Sequence, residues 1–363
     1  MKRYFWVKPR RLTAFFIPKT PQVNRFSIRA LSHADSLLPN KDQIAATPTN
    51  PTSDTTLSVA NAGSFRVGDQ IKDSVHTELM LVTAVNTAAS TITVTRGYGG
   101  TTPQAIGLND TVYILGNAAL EGDDAANPRF TTRSRRGNWT QIFTETVLVS
   151  GSDMAVRHLA VADELDYQKQ ERLREMLRDL ENTVINGIAP SATPQGSAAV
   201  RRTMNGIIPQ IQTNAFAMGV NGFPSGPALT EPTLNQALRN IWTNSSANID
   251  LIVVNGYQKR QISAFSSAMR RYTAEDERFN NLIGIYESDF GVQRVVLSRW
   301  VPADTVLLLD SSRLSVLPLA GRSFQYRPLA ATGDFERGEL IGEYTLELRN
   351  EQAHGLIRGL QSA

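Results

Sequence analysis

The chain contains no cysteine among its 363 residues. That excludes a disulfide framework and any thiolate metal site, and it suits folding in a reducing cytoplasm. Histidine is scarce too: the four, His33, His76, His158 and His354, form no i, i+4 pair and have no carboxylate at ligand spacing. A catalytic zinc needs about three converging protein ligands, so neither a metal nor another cofactor is expected. Capping or surface positions suit His158 and His354. No apolar run reaches the ~18 residues of a membrane span, so no membrane partner is expected. Near the N-terminus, residues 12–17 fall short of the ~7–15 apolar residues of a signal peptide and end at Pro18 and Lys19 without a small-residue cleavage site. The glycosylation-like sequons at Asn138 and Asn244 are then chance matches. Charge of one sign is also lacking: 37 Lys and Arg face 34 Asp and Glu, a net +3, so any charge argument must be local.

Catalytic patterns are missing as well. There is no Gly-x-Ser-x-Gly elbow. Residues 97–102 (GYGGTT) have predicted strands on both sides and Pro103 behind them, where a phosphate loop needs a following helix. They read as a glycine-rich hairpin turn. Glu275 with Glu277, and Asp123 with Asp124, lie in polar stretches with nothing to bury them and raise a catalytic pKa. No acid–base or nucleophile constellation remains, and an enzyme is not expected.

What is present supports a folded, non-repetitive protein. Apolar residues make up 41% and charged residues 20%, enough for ordinary cores and too few charges for wholesale disorder. The length predicts two or three subdomains. The most informative stretch is 139–187, where an alternating extended run (WTQIFTETVLVSGS) leads into a long charged helix. Leu165, Leu173, Met176, Leu177, Leu180 and Val184 make one narrow apolar stripe on it, expected to be buried. Asp163, Glu164 and Asp166 suit the positive end of the helix dipole, and Gly187 suits the C′ position. About 25 residues at 1.5 Å each give a strut of roughly 37 Å.

Around this strut the chain changes character several times. Residues 1–40 read as a basic, aromatic, proline-broken arm with at most one short helix near 25–37. Residues 46–55 read as a linker. Five short alternating runs between 55 and 117 predict a small β module, a barrel or compact sandwich. Residues 118–138 read as a long exposed loop, acidic at its start (Glu121, Asp123, Asp124) and basic at its end (Arg129, Arg133, Arg135, Arg136). Opposite charges on one loop suit a contact between identical subunits better than a nucleic-acid groove. The basic cluster Lys2, Arg3, Lys8, Arg10 and Arg11 mixes with Tyr4, Phe5 and Trp6, a combination open to nucleic acid or to plain solvation. A Pro/Gly/Ser-rich stretch at 189–200 separates the strut from an α/β region at 203–320. That region holds an amphipathic helix at 233–245, a buried strand (NIDLIVVN), a second helix (QKRQISAFSSAMRRY), and two strands (RVVLSRW, DTVLLLD) expected to pair through a connection at Pro302. The chain ends in a strand where Leu340, Tyr344, Leu346 and Leu348 alternate with Glu343, Thr345, Glu347 and Arg349, as in a half-buried antiparallel strand.

This order of parts, with the runs FRVGDQI, TITVTRGYGGTT, NWTQIFTETVLVSG, DELDYQKQERLREMLRDLENTVING, IDLIVVNGYQKRQI and GELIGEYTLELRNEQAHG, resembles the major capsid proteins of tailed bacteriophages. Their α+β Hong Kong ninety-seven-like fold is shared with encapsulin shells, and the likeness covers roughly residues 23–360. The subfamily implied carries a small β module in its extended loop. The resemblance implies an N-terminal arm at 1–45 and an extended loop at 46–153 with the module at about 55–117. It further implies a peripheral-domain spine helix at 154–202, an axial domain at 203–320 and C-terminal peripheral strands at 321–363. It implies a structural protein of the virion that forms hexamers and pentamers of an icosahedral head around double-stranded DNA. Portal, scaffold and decoration proteins would be further partners. Some relatives weld subunits by a Lys–Asn isopeptide bond. Lys72 and Asn350 are candidates for it, and a surface lysine and a capped strand end explain them equally. The alternatives are an encapsulin-like compartment and a receptor-binding accessory protein acting through the β module.

Overall fold

The structure, a computed structural model, describes residues 27–32, 40–122, 134–156, 163–245, 248–265, 284–330 and 332–362. The chain divides into two compact units, one of residues 36–132 and one of residues 1–35 with 133–363. Its first described element is strand β1 (Ser27–Ser32), where at most a short helix was expected.

Unit 36–132 is an antiparallel sheet of β2 (Lys41–Gln43), β3 (Thr56–Ser58), β4 (Asp69–Asp73), β5 (Leu79–Asn86), β6 (Thr91–Thr95) and β7 (Thr111–Asn117), in the order β2-β7-β4-β5-β6-β3. Inward residues, among them Leu57, Ile71, Met80, Ile92 and Val112, close a core of their own. All five runs expected between 55 and 117 are strands, but the sheet begins earlier. Lys41–Gln43, read as part of the arm, pairs with Thr111–Tyr113 of β7. The supposed linker 46–55 lies inside the unit, with Ile106 N–H donating to Pro51 O at 3.2 Å and Asn50 N–H to the Asp54 carboxylate at 2.9 Å. Its Pro, Thr and Asn residues make irregular backbone rather than a separator.

In the other unit β8 (Ser134–Trp139) pairs antiparallel with β1 along its whole length. Residues 134–138, read as loop, are therefore strand, and so are 27–32. The partner lies far along the chain, where a local periodicity argument cannot see it. β9 (Gln141–Ser150) runs into the short α1 (Gly151–Ala155), followed by α2 (Glu164–Asn186), α3 (Ile207–Gln210), β10 (Ala215–Ala217), α4 (Glu231–Asn244), β11 (Leu251–Val254) and α5 (Gly256–Phe265). The remainder is β12 (Gly284–Ser288), β13 (Gly291–Leu297), β14 (Val306–Leu309), β15 (Leu314–Pro318), β16 (Gln325–Pro328), β17 (Phe335–Leu348) and β18 (Gly355–Arg358).

These strands make two sheets. One has the order β10-β18-β14-β11-β13-β12; in the other β17 is central, flanked by β15, β16 and β9. β13 and β14 do not pair as expected: β11 lies between them, parallel to β13 and antiparallel to β14. The reason is burial. Each residue of β11 is apolar and buried, and such a run is stable only where strands flank it and layers cover both faces. Leu251 and Val253 face the core shared with α2, while Ile252 and Val254 face the core under α4. Both β14–β15 and β17–β18 cross from one sheet to the other, so residues 310–313 and 349–354 form the junction between the sheets.

Candidate assembly site

α2 starts at Asp163, whose carboxylate accepts the Asp166 N–H at 3.2 Å, with Glu164 and Asp166 in its first turn. Leu165, Met176, Leu180, Val184 and also Ile185 are buried, and Leu173 packs half-buried against the same cluster. Leu177, expected in the stripe, is only half-buried. It lies one residue, about 100°, round the helix from Met176 and so turns away from the sheet. The other face is laced with pairs such as Lys169–Asp166 at 3.1 Å and Arg172–Glu175 at 2.6 Å, surface contacts worth little each. Gly187 is not the left-handed C′ residue expected, having φ −55°. Its N–H donates to Thr183 O at 2.8 Å, and a Cβ there would stand 2.5 Å from Thr183 O and 2.7 Å from Met204 O. Close approach, not positive φ, requires the glycine.

β16 and β17 hold α2 in place through aromatic rings. Phe324 lies 4.6 Å from Tyr344 and 6.4 Å from Phe143 between ring centroids. The Lys169 ammonium sits 4.5 Å from the centre of the Tyr326 ring. Both rings lie over glycines of β17: a Cβ on Gly338 would meet Tyr326 at 2.2 Å, and one on Gly342 would meet Phe324 at 2.3 Å.

The opposite face of β17 departs from the expected polar, exposed alternation. Glu343 and Thr345 are buried, at 1% and 0% exposure. Glu343 accepts from Thr140 Oγ1 and from Arg202 Nη2, each at 2.5 Å, and Arg322 Nε is 2.7 Å from its other oxygen. Arg202 Nε also donates to Thr140 O at 2.7 Å. One carboxylate thus ties β17 to the β8–β9 crossing and to the segment behind α2. Burial is tolerated because Oε1 takes a charge-assisted bond from Arg202 and the Arg322 guanidinium stands within ion-pair distance of Oε2.

At the junction of the sheets His354 is fully buried, not at the surface as expected. Its Nδ1 accepts the Asp310 N–H at 3.2 Å, which places the proton on Nε2. Burial pushes its pKa down to about 4 against the pull of the Asp310 carboxylate. Asp310 in turn caps Ser312 N–H at 3.0 Å and pairs with Arg313 at 3.0 Å. Glu351 accepts Gln212 N–H at 2.7 Å and also the Thr213 N–H. Asn350 sits at φ 52°, where the chain reverses between β17 and β18.

Unit 36–132 has its own buried pair. Arg96 Nε and Nη2 meet the two Glu78 oxygens at 2.8 and 2.7 Å; Nη1 donates to Pro51 O and Asp54 O at 3.1 Å, and Nη2 also to Gln104 O at 2.5 Å. Glu78 takes two more bonds, from Gly97 and Gln104 N–H at 3.0 and 2.8 Å. Burial raises its pKa, but Arg96 and the two N–H groups outweigh that and hold the carboxyl below its ordinary value. The glycine-rich run 97–102 is thereby fixed from inside the unit.

Among the described residues no group of His, Asp and Glu could hold a metal ion, and no helix is long and apolar enough to cross a membrane. Residues 34–361 match the SU10 major capsid protein family. The chain belongs to that family. Its role is therefore structural, as a capsid component of the virion. Solved structures similar to this capsid protein include the cyanophage A-1(L) capsid asymmetric unit, at 13% identity and TM-score 0.44 over 68% of this chain and 85% of that one. A Microbacterium phage Oxtober96 structure has 11% identity and TM-score 0.45 over 99% and 94%. The holo-SrpI encapsulin complex from Synechococcus elongatus PCC 7942 has 12% identity and TM-score 0.44 over 63% and 77%. No curated protein matches the sequence.

The capsid residues singled out from sequence are spread over the fold. Glu121 lies in an exposed turn, while Asp123, Asp124, Arg129 and Arg133 fall outside the described residues, as do His158, Glu275 and Glu277. Arg135 and Arg136 are on β8, opposite Leu31 and Ala30, and Arg136 is exposed. Lys72 is half-buried on β4, whereas Asn350 is 2% exposed and belongs to the other compact unit. Sequence reasoning missed Glu343, Arg202, His354, Glu78 and Arg96. The available signal was a carboxylate placed within an apolar strand or between apolar runs, which alternation alone reads as solvent-facing.

Proposed function

We propose that the chain self-assembles into the hexamers and pentamers of an icosahedral, Hong Kong ninety-seven-like phage head that encloses double-stranded DNA. Membership of a major capsid protein family across residues 34–361 carries this reading. Residues 1–45 then serve as the arm, its last strand (Lys41–Gln43) joining the β module, and 46–153 as the extended loop that bears the rest of that module. α2 is the spine within 154–202, residues 203–320 form the axial domain, and 321–363 supply the peripheral strands, except that β15 pairs in the β17 sheet and β18 returns to the six-stranded sheet. The work is mechanical: repeated copies tile a closed surface, and several modest contacts per subunit make the shell effectively irreversible. Portal, scaffold and decoration proteins are the expected further partners. The buried Glu343 and Arg96 networks support the reading, because they stiffen each unit without using the charged surface of α2.

The loop charges provide the test. Arg133, Arg135 and Arg136, together with Arg129, would dock on an acidic surface of an adjacent copy, Glu121, Asp123 and Asp124 included. Reversing Arg133, Arg135 and Arg136 to Glu should abolish particles in size-exclusion chromatography while circular dichroism stays native. Normal particle yield would remove this contact from the scheme. Particles that enclose protein cargo instead of nucleic acid would move the reading to an encapsulin-like compartment.

A further inference from the structure

The edge strand β12 and its neighbour β13 leave one face of the six-stranded sheet exposed. Their pairing sets Ile285 opposite Arg294 and Glu287 opposite Val292, so these four side chains share one face. Ile285 is 67% and Val292 58% exposed. On the other face Tyr286 is buried and donates its hydroxyl to Asn235 of α4 at 2.8 Å, which locks α4 against the hairpin. There α4 and the β12–β13 turn border an open cleft of about 810 Å³ lined by Asn235, Gln236, Arg239, Asn240, Asp289 and Phe290. Trp242 is 62% exposed beside it, its ring centroid 5.9 Å from that of Phe290.

The two surfaces complement each other. Each combines large apolar groups with one charge of each sign: Arg239 and Asp289 at the cleft, Glu287 and Arg294 on the hairpin. Among the described residues Arg239, Asp289 and Glu287 have no ion pair, and Arg294 reaches Asp250 only at 3.7 Å. Because the surfaces lie on opposite faces of one sheet, a single chain cannot bring them together. A second copy in the same orientation can, and a contact between unlike patches repeats around a ring. An exposed Trp beside an unpaired Arg is the composition of an interface hot spot.

We propose that the α4 cleft of one copy receives the Ile285/Val292 face of the β12–β13 hairpin of the next, with Arg239 meeting Glu287 across the contact. This deepens the assembly reading above, on which it rests, by naming the contact between neighbouring copies.

The chain's lack of cysteine makes the test clean. Chains carrying Arg239→Cys and chains carrying Glu287→Cys are co-expressed, oxidised and run on a non-reducing gel. The mixture should give a dimer band, and neither variant alone should. No dimer from the mixture, in particles or in soluble oligomers, overturns the proposal; a dimer from one variant alone overturns its head-to-tail form. In a second arm, Arg239→Glu and Glu287→Arg should each raise the concentration needed for assembly at least tenfold, and the two together should restore it. Unchanged assembly in the single variants also overturns the contact. Wild-type chains that never form particles would instead count against the shell reading, while the cross-link still decides the contact.

Discussion

Replacing Glu343 by glutamine keeps the side chain's shape and removes its charge. The Glu343 side chain is 2% exposed, against 16% for Arg202 and 36% for Arg322. Glutamine can still accept from Arg202 and Thr140 through Oε1, but its amide nitrogen then faces the Arg322 guanidinium, donor against donor. Arg322 is exposed enough to turn into water, whereas Arg202 is held by Thr140 O. Removing one partner of a buried pair costs about 3–5 kcal/mol. With one of two arginines able to escape, the lower end applies, about 3 kcal/mol. Urea unfolding followed by tryptophan fluorescence reads this cleanly, because Trp6, Trp139, Trp242 and Trp300 all lie outside residues 36–132. The double variant Glu343→Leu with Arg202→Met should recover at least half of the loss, since an apolar replacement of a buried pair is often close to neutral. A loss below about 1 kcal/mol for Glu343→Gln, the range of exposed surface pairs, would show that the Glu343 pair contributes no more than a solvent-exposed one.

Three further outcomes are expected. His354 has a pKa of about 4 when folded and 6.5 as its ordinary value, so the unfolded chain takes up the proton first as pH falls. Its contribution is complete above about pH 6.5 and lost progressively towards pH 4, roughly 3 kcal/mol in all; His354→Gln should flatten the stability–pH curve across that window, and an unchanged slope contradicts it. Arg96→Met should destabilise unit 36–132 by about 3–5 kcal/mol, seen as faster hydrogen exchange in β5 and β6 without a shift in the tryptophan transition. The folded pKa of Glu78 is lowered from 4.5, so its contribution is present above that pH and lost as pH falls below it, a fall that Arg96→Met should blunt. On α2, Leu180→Ala should cost about 2–4 kcal/mol by leaving a cavity, whereas Leu177→Ala should cost less than about 1 kcal/mol; equal losses would show that the buried face is misplaced.

Much of the architecture is legible in local pattern. The strut helix, its acidic start, the amphipathic α4, the wholly apolar β11 and the five strands between 55 and 117 each bury a periodic set of side chains, and period is a local property. What escapes is non-local. β1 and β8 find each other across the intervening unit, and β11 inserts between strands that are neighbours in sequence. β17 takes cover on both faces, so its apolar–polar alternation is no guide to exposure; Tyr344 and Glu343 are both buried. Gly187 reads as a left-handed cap because that is the commonest reason for glycine after a helix, yet here two carbonyl oxygens crowd the site. The buried charges follow the same rule: their partners, Arg202 for Glu343 and Arg96 for Glu78, come from other elements, and only the fold brings them within hydrogen-bond reach.

Electron microscopy of the purified protein decides whether the chain builds a shell. Closed shells of uniform diameter with icosahedral symmetry, built from rings of six and five copies, are the expected result. A preparation that is folded by circular dichroism, yet stays monomeric at every concentration and salt condition in the presence of its own phage's assembly proteins, would contradict it.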